Sequence, residues 1–432
     1  MTPGLIGLIG IVLLLILLAI RMPVGIAMLI VGFLGIAYLL GVKCGLARLG
    51  MTPFAQASNY GLSAVPLFTL MGMLLLQTEF GRDLYDVANT WIGHLRGGLA
   101  MATIGACAAF GAVCGSVNAT TATMASVSIP EMNRFNYKPI LSTACVAAGG
   151  TLGILIPPSV ILILYGILTM EPIGKLLIAG IFPGILQAIL FAVMIYLQVR
   201  RDPSLCDIQP KKSTREKIVV LKNIWVVVVL FLLSIGGIYL GVFTPTEAAG
   251  VGAFGAFAIS LLSRRLTFKR LWEALDSSVQ ITTMIFLVVI GATVFGYFLA
   301  AARIPMMLSS AFASMAVSRY LILAGILFMY FILGLFMEGI AILVLTVPII
   351  YPVIIDLGFN GIWFGIIMTI LINIGLITPP VGIGVYITSS VSKVSVETVF
   401  RGIAPFLAAM IVCLLLIVIF PQIALILPNL MR

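Results

Sequence analysis

The chain repeats itself at an offset of about 222 residues: Gly153-Ile154-Leu155-Ile156-Pro157-Pro158 returns as Gly375-Leu376-Ile377-Thr378-Pro379-Pro380. Pro23 falls on Pro245, Pro130 on Pro352 and Pro183 on Pro405 under the same shift, and Gly180-Ile181 with Pro183 meets Gly402-Ile403 with Pro405. The reading is two copies of one unit, residues 1–199 and 224–432, joined by a linker at 200–223. Repeats in which a helix is broken by Gly and Pro at matching depth are the sequence pointer to secondary transporters, where the break is the binding site.

The solvent of this unit follows from composition. With 62% hydrophobic and 9% charged residues, the chain is expected to be an all-α polytopic membrane protein. Apolar stretches near 4–20, 24–42, 62–78, 139–170, 175–199, 224–243, 246–262, 279–301, 361–389 and 403–427 suit about ten crossings of a hydrocarbon core about 30 Å thick. Two further apolar stretches, about 99–130 and 321–350, carry a small-polar cluster or an acid at mid-length. They read as re-entrant helical hairpins, with kinked spans as the alternative; polar backbone at membrane depth belongs beside protein or an aqueous cavity. The stretches 139–170 and 361–389 read as broken helices, and the polar segments 79–98 and 302–319 as interfacial arms or ordinary surface helices.

Five crossings per copy turn the second copy upside down, and charge tests this. With the N-terminus outside, the inside segments hold about eighteen of the 24 Lys and Arg, as the positive-inside rule requires; both termini are then periplasmic, and 200–223 is a basic cytoplasmic linker. The first span has no basic stretch ahead of it and Arg21 behind it, so it is expected to be retained and not cleaved as a signal peptide. Topology also accounts for the net charge of +10, which therefore indicates the lipid bilayer and not nucleic acid as partner. Six scattered cysteines and a lone His94 give no transition-metal site and no acid–base or Ser–His machinery, so no enzyme is expected. An ion channel would need a continuous polar pore, whereas polarity here gathers at two mid-membrane breaks.

Those breaks supply the candidate binding residues. In the first hairpin Gly115, Ser116, Asn118 and Thr120 bring a flexible backbone together with side-chain oxygens, and the following break at Gly153, Ile156 and Pro157 frees carbonyls just ahead of Ser159. Freed carbonyls suit a hard cation such as sodium, and half-helix N-termini suit an anion. Small residues that merely let helices approach closely, and simple proline kinks, are the alternatives. In the second hairpin the offset places Glu338 on Ser116, next to Gly339, with Gly375, Thr378 and Pro379 at its break. A carboxylate at membrane depth is a functional candidate by default, either facing a coupling cation or capping a half-helix. Glu247, in Thr244-Pro245-Thr246-Glu247, reads as a helix cap near the interface. Arg303 either pairs with a transported carboxylate or anchors at the interface.

Val65-Pro66-Leu67-Phe68 before Met71-Gly72, Gly115-Ser116, Ile156-Pro157-Pro158-Ser159, Gly180-Ile181-Phe182-Pro183-Gly184, Phe336-Met337-Glu338 and Gly375 through Gly382 together resemble the large membrane subunit of the tripartite ATP-independent periplasmic (TRAP) transporters, the DctM family, across essentially the whole chain. The resemblance implies a sodium-coupled importer of a small organic anion (carboxylate, sulfonate or sugar acid) in the inner membrane, working as an elevator. It implies two partners, a periplasmic substrate-binding protein and a separate small membrane subunit of about four spans. Sodium would lie between Gly115-Ser116 and Gly153–Pro157, and again between Glu338-Gly339 and Gly375–Pro379, with substrate between the tips, near Ser116, Asn118, Thr120, Ser159, Glu338 and Thr378. Glu338 stands where many relatives have an aspartate, and Thr120 where some carry an acid, so substrate identity stays open. A divalent-anion symporter or exchanger of similar architecture that needs no binding protein is the alternative.

Overall fold

The computed structural model describes residues 2–307, 310 and 317–431, and every regular element among them is a helix. A helix satisfies its backbone groups within its own segment, which is what a chain surrounded by hydrocarbon requires.

The two suspected hairpins are hairpins. Gly98–Cys114 rises to a break at Gly115 and Ser116, and Val117–Arg134 returns. Gly115 lies at φ 66°, the left-handed region in which a residue without Cβ turns the chain at least cost. The open end is closed by a hydrogen bond from the Leu99 N–H to the Tyr137 hydroxyl at 3.1 Å, so both limbs end at one place. The second pair, Arg319–Phe336 and Gly339–Asp356, closes the same way: the Tyr320 and Phe359 rings meet at 5.9 Å and the Arg319 guanidinium lies 5.4 Å from the Phe359 ring. Phe359 is the repeat counterpart of Tyr137. A kinked span would put those ends on opposite sides. Each hairpin runs a turn or so past the bounds read from the sequence.

Eight helices among the described residues are long and apolar enough to cross a membrane, or nine if Thr214–Asn223 and Trp225–Tyr239, bent by 53°, form one span. That is fewer than the ten stretches of the sequence, and the membership differs. Pro3–Ala19 and Val24–Leu40 have 17 residues each, about 25 Å of helix, short of a core of about 30 Å. The stretch 361–389 divides into Gly361–Gly375 and Ile383–Ser392, whereas both limbs of the second hairpin pass on length and composition although they fold back.

Most helices recur at the repeat offset, with informative exceptions. Val42–Ala57, a 3-10 turn at Tyr60–Ser63 and Ala64–Gln77 correspond to one unbroken helix, Phe268–Ala301. The break in the first copy is held by the Asn59 side chain, which accepts from the Gly61 N–H at 2.9 Å; the second copy has the apolar Ile281 there and the helix runs on.

Two bodies result. In one, Phe268–Ala301 crosses Val24–Leu40 so closely that Gly25 faces the Leu287 backbone and Gly32 the Phe295 backbone, the close approach that small residues permit. The other holds the hairpins and broken helices, and there the copies exchange parts: Val160–Thr169 packs on the second hairpin's Gly339–Asp356, and Ile383–Ser392 on the first hairpin's Val117–Arg134. The Tyr165 hydroxyl donates to the Gly361 carbonyl and the Tyr351 hydroxyl to Glu171, each at 2.7 Å, stitching one copy to the other.

The first arm is a helix, Phe80–Ile92, lying against both limbs of the first hairpin. Its start is pinned to the other body by Arg265 to Asp83 (2.5 Å) and Arg270 to Glu79 (2.6 Å), and its end to the linker by the Trp91 indole N–H on the Lys217 carbonyl (3.1 Å). The linker also straps the hairpin base, through the Lys138 N–H on the Leu205 carbonyl and the Asp207 N–H on the Phe135 carbonyl. In the linker, hydrogen bonds from the Ser204 hydroxyl and N–H hold the Asp202 carboxyl below its ordinary range. Of the second arm expected at 302–319, residues 308, 309 and 311–316 lie outside the described residues.

Candidate functional site

Both hairpin tips open on one cavity of about 430 Å³. Gly115, Ser116 and Asn118 line it from one side, Glu338 and Gly339 from the other. The helices that begin at Val117 and Gly339 turn their N-terminal ends, and hence their partial positive charge, toward it.

Ser116 and Glu338 hold the same place, the N-cap of a descending limb, and behave differently. The Ser116 hydroxyl accepts from the Ala119 N–H at 3.4 Å. Glu338 has extended backbone, its side chain makes no cap hydrogen bond, and its carboxylate is in no ion pair or hydrogen bond among the described residues. Its carboxylate lines the cavity instead, which removes the capping alternative. Capping is the role of Glu247: its carboxylate accepts from the Thr244 N–H at 2.8 Å while its own N–H donates to the Thr244 hydroxyl, away from the cavity.

The first tip and first break come together closely. A Cβ on Gly153 would sit 2.8 Å from Thr120 Oγ1 and 3.0 Å from the Ser116 carbonyl, while Gly115 lies against the Pro158 carbonyl. Thr120 is fully buried; its hydroxyl has no oxygen or nitrogen partner and stands beside the buried Cys114 thiol. A buried polar atom without a partner is costly, so this pocket of oxygens fits a small hard cation or a water. At the second break Gly375 packs on the Gly334 backbone, one turn before the tip, and Gly339 faces Ile372 and Ile161. Both X-Pro bonds, Pro157-Pro158 and Pro379-Pro380, are cis.

Three residues expected to touch substrate do not reach the cavity surface. Ser159 is fully buried and caps Val160–Thr169 through the Leu162 N–H at 3.3 Å. Thr120 faces Gly153, and the Thr378 hydroxyl is turned back to the Ile374 carbonyl at 2.5 Å. Ile156, Pro157 and Gly153 sit behind the lining, which Ile154 and Ile161 provide. Arg303 is exposed and lies outside the lining, so it holds nothing in the cavity.

Sequence reasoning missed the wall opposite the tips. Thr69, Ser277 and Gln280 line the cavity from the other body, and among the described residues no Lys, Arg or His does. Their signal was present: Ser277, Ser278, Gln280, Thr282 and Thr283 form a polar cluster inside one helix. Asn373 was missed as well. It is fully buried two residues before Gly375, with neither amide atom hydrogen-bonded, and is the one amide in an apolar run from Gly361 to Gly375.

Two smaller chambers follow between the arm and the first hairpin. The inner, about 390 Å³, is lined by Leu76, Arg82 and Ser126; the outer, about 290 Å³, by Arg82, Asp86, Ser126, Glu131 and Arg134. Burial pushes the Asp86 carboxyl above its ordinary range, and the nearby Arg82 charge offsets part of that rise.

Comparison with known proteins agrees with this geometry. The chain is 36% identical to the C4-dicarboxylate TRAP transporter large permease protein DctM of Pseudomonas aeruginosa over 87% of its length and 88% of that protein. It is 32% identical to the sialic acid TRAP transporter large permease protein SiaM of Vibrio cholerae over 95% of both. The fold matches the Alcanivorax borkumensis YdaH transporter with a TM-score of 0.58 at 14% identity, covering 87% of this chain and 89% of that one. The profile of the family described as the DctM component of the tripartite ATP-independent periplasmic transporters matches residues 11–423. The chain therefore belongs to the DctM family: it is a multi-pass transport protein, the large permease component of a TRAP transporter, and not an enzyme.

Proposed function

We propose that this permease imports a small organic anion, a carboxylate, sulfonate or sugar acid, across the inner membrane with sodium as the coupling ion. A periplasmic binding protein hands over the anion, and a separate small membrane subunit of about four spans completes the transporter. Both termini face the periplasm, the second copy is inverted relative to the first, and the body of hairpins and broken helices moves as an elevator against the body built on Phe268–Ala301. The observation that carries the reading is the convergence of two helix N-termini, one unpaired carboxylate and a neighbouring pocket of buried oxygens on a single cavity between the two bodies. The helix ends suit the anion, and the oxygens suit sodium. The C4-dicarboxylate and sialic acid named for two relatives are both carboxylates, which supports the class without selecting a member.

The test is thermal stability of the purified protein titrated with sodium, against potassium and choline at constant ionic strength. A saturable, sodium-specific rise that disappears in Ser116→Ala is the expected result, because a ligand of the folded state raises the midpoint by mass action. Equal responses to all three cations would remove sodium coupling.

A further inference from the structure

Among the described residues no basic side chain lines the binding cavity, yet one stands beyond it. Leu76 lines both the binding cavity and the inner chamber beside it, and Arg82 lines both the inner and the outer chamber. The opposite wall is a single helix read along its length: Asn118 at the cavity, Thr123 and Ser126 in the inner chamber, Glu131 and Arg134 in the outer. Three chambers thus lie in sequence from the hairpin tip to its base, with Leu76 between the first two, and we read them as one groove.

The charges along this groove are mostly spoken for. Glu79 is held by Arg270 at 2.6 Å, and Arg134 by Glu131 at 3.0 Å. Asp86 lies one helical turn beyond Arg82, near enough for the two charges to attract without an ion-pair contact, and faces the outer chamber. Arg82 has no carboxylate within 4.0 Å among the described residues, so it is the groove's one basic group outside an ion pair. A guanidinium in that state is a ready forked donor for a carboxylate or sulfonate.

We propose that the groove is the cytoplasmic release route and that Arg82 is a second, transient binding site for the acidic group of the cargo. This rests on the anionic cargo and the orientation given above. When the coupling cation leaves the cavity, Glu338 is left facing the anion and repels it. Arg82, past Leu76, is the next group able to take the charge, so the cargo moves down the groove in two short steps. A surface helix with solvated charges would need neither the shared lining at Leu76 nor an Arg82 outside any ion-pair contact that lines both chambers.

The experiment needs no knowledge of the cargo. Ser126→Cys places a thiol in the two chambers that Arg82 lines, and the protein is held in phosphatidylcholine nanodiscs, which expose both faces and offer no anionic headgroup. Modification rates are measured with a sulfonate-bearing and with a trimethylammonium-bearing methanethiosulfonate, after subtracting the parent with its native cysteines. The anion-to-cation rate ratio is expected to fall about five- to tenfold in Arg82→Gln and to return in Arg82→Lys. An unchanged ratio in Arg82→Gln would overturn the anion site. Sidedness is read separately by applying the same reagents to intact cells and to inside-out vesicles. Labelling only in inside-out vesicles supports a release route, and labelling from intact cells would overturn it together with the orientation. Because neither readout involves sodium, a failure of sodium coupling shows only in the thermal titration.

Discussion

The two proline breaks share a pattern and differ in their surroundings. Ile156, Pro157, Pro158 and Ser159 are buried, whereas Pro379 and Pro380 are exposed. The tips differ in the same sense. Ser116 spends its hydroxyl on its own helix and, beside Thr120, leaves neutral oxygens in an enclosed pocket; Glu338 leaves a bare carboxylate at the cavity. The lesson is that duplication kept the geometry of a broken helix behind a hairpin tip while the chemistry divided, neutral and closed in one copy, charged and open in the other. Geometry is costly to change because backbone meets backbone at both breaks, whereas one tip side chain is replaced without moving the fold.

The largest effect that tests this is steric. In Gly375→Ala the new methyl meets only backbone atoms of Gly334, so something in the helix pair must shift, and we expect a loss of about 3 kcal/mol in thermal or denaturant unfolding. Gly153→Ala meets Oγ1 of Thr120, a side chain that can change rotamer, as well as the Ser116 carbonyl, and is expected to lose about 1–2 kcal/mol. The reverse order would break the contrast between a yielding first pocket and a rigid second crossing.

Next comes the charge. Glu338→Gln should lower transport at least tenfold, a barrier increase of about 1.4 kcal/mol, while the sodium-free thermal midpoint stays level or rises, since no cap hydrogen bond is lost. Its repeat counterpart should do the opposite in stability: Ser116→Ala removes a cap and is expected to lose about 1 kcal/mol without any ligand present. If both variants lost stability equally, the two tips would be doing the same work and the division of chemistry would fail.

How far this was legible in the sequence follows from what each feature depends on. The hairpins, the breaks and Glu338 are local: glycines, doubled prolines and one acid in apolar runs declare themselves in a window of a few residues. Span counting was less secure because the apolar character of a hairpin limb equals that of a crossing; only the return of Leu99 to Tyr137 and of Tyr320 to Phe359 tells them apart, and those partners lie tens of residues away. The opposite wall at Thr69, Ser277 and Gln280 was hidden for a different reason. Its polar cluster was visible, but which face of a 34-residue helix meets the hairpins is decided by tertiary packing. The same holds for Ser159, whose hydroxyl looked available next to a break and is taken by the helix it starts.

The smallest effect is the most discriminating. Thr120 has Ile342 as its repeat counterpart, so the hydroxyl exists in one copy only. It is buried beside Gly153 with no oxygen or nitrogen partner, only the weakly accepting Cys114 thiol beside it, a group that costs stability while so placed and repays it when an ion or water binds. Thr120→Val gives the first copy an apolar side chain at this position, as Ile342 is in the second. Without sodium its thermal midpoint should rise slightly, by about 0.5 kcal/mol in stability, because an unsatisfied hydroxyl is replaced by a methyl of similar size. With saturating sodium the order should invert, the parent gaining the sodium-linked shift that the variant lacks. A variant that is less stable in both conditions would mean that the Thr120 hydroxyl is a structural partner of its own helix, and the cation pocket would then have to be sought at Asn373, another fully buried side chain beside a break whose amide atoms have no partner.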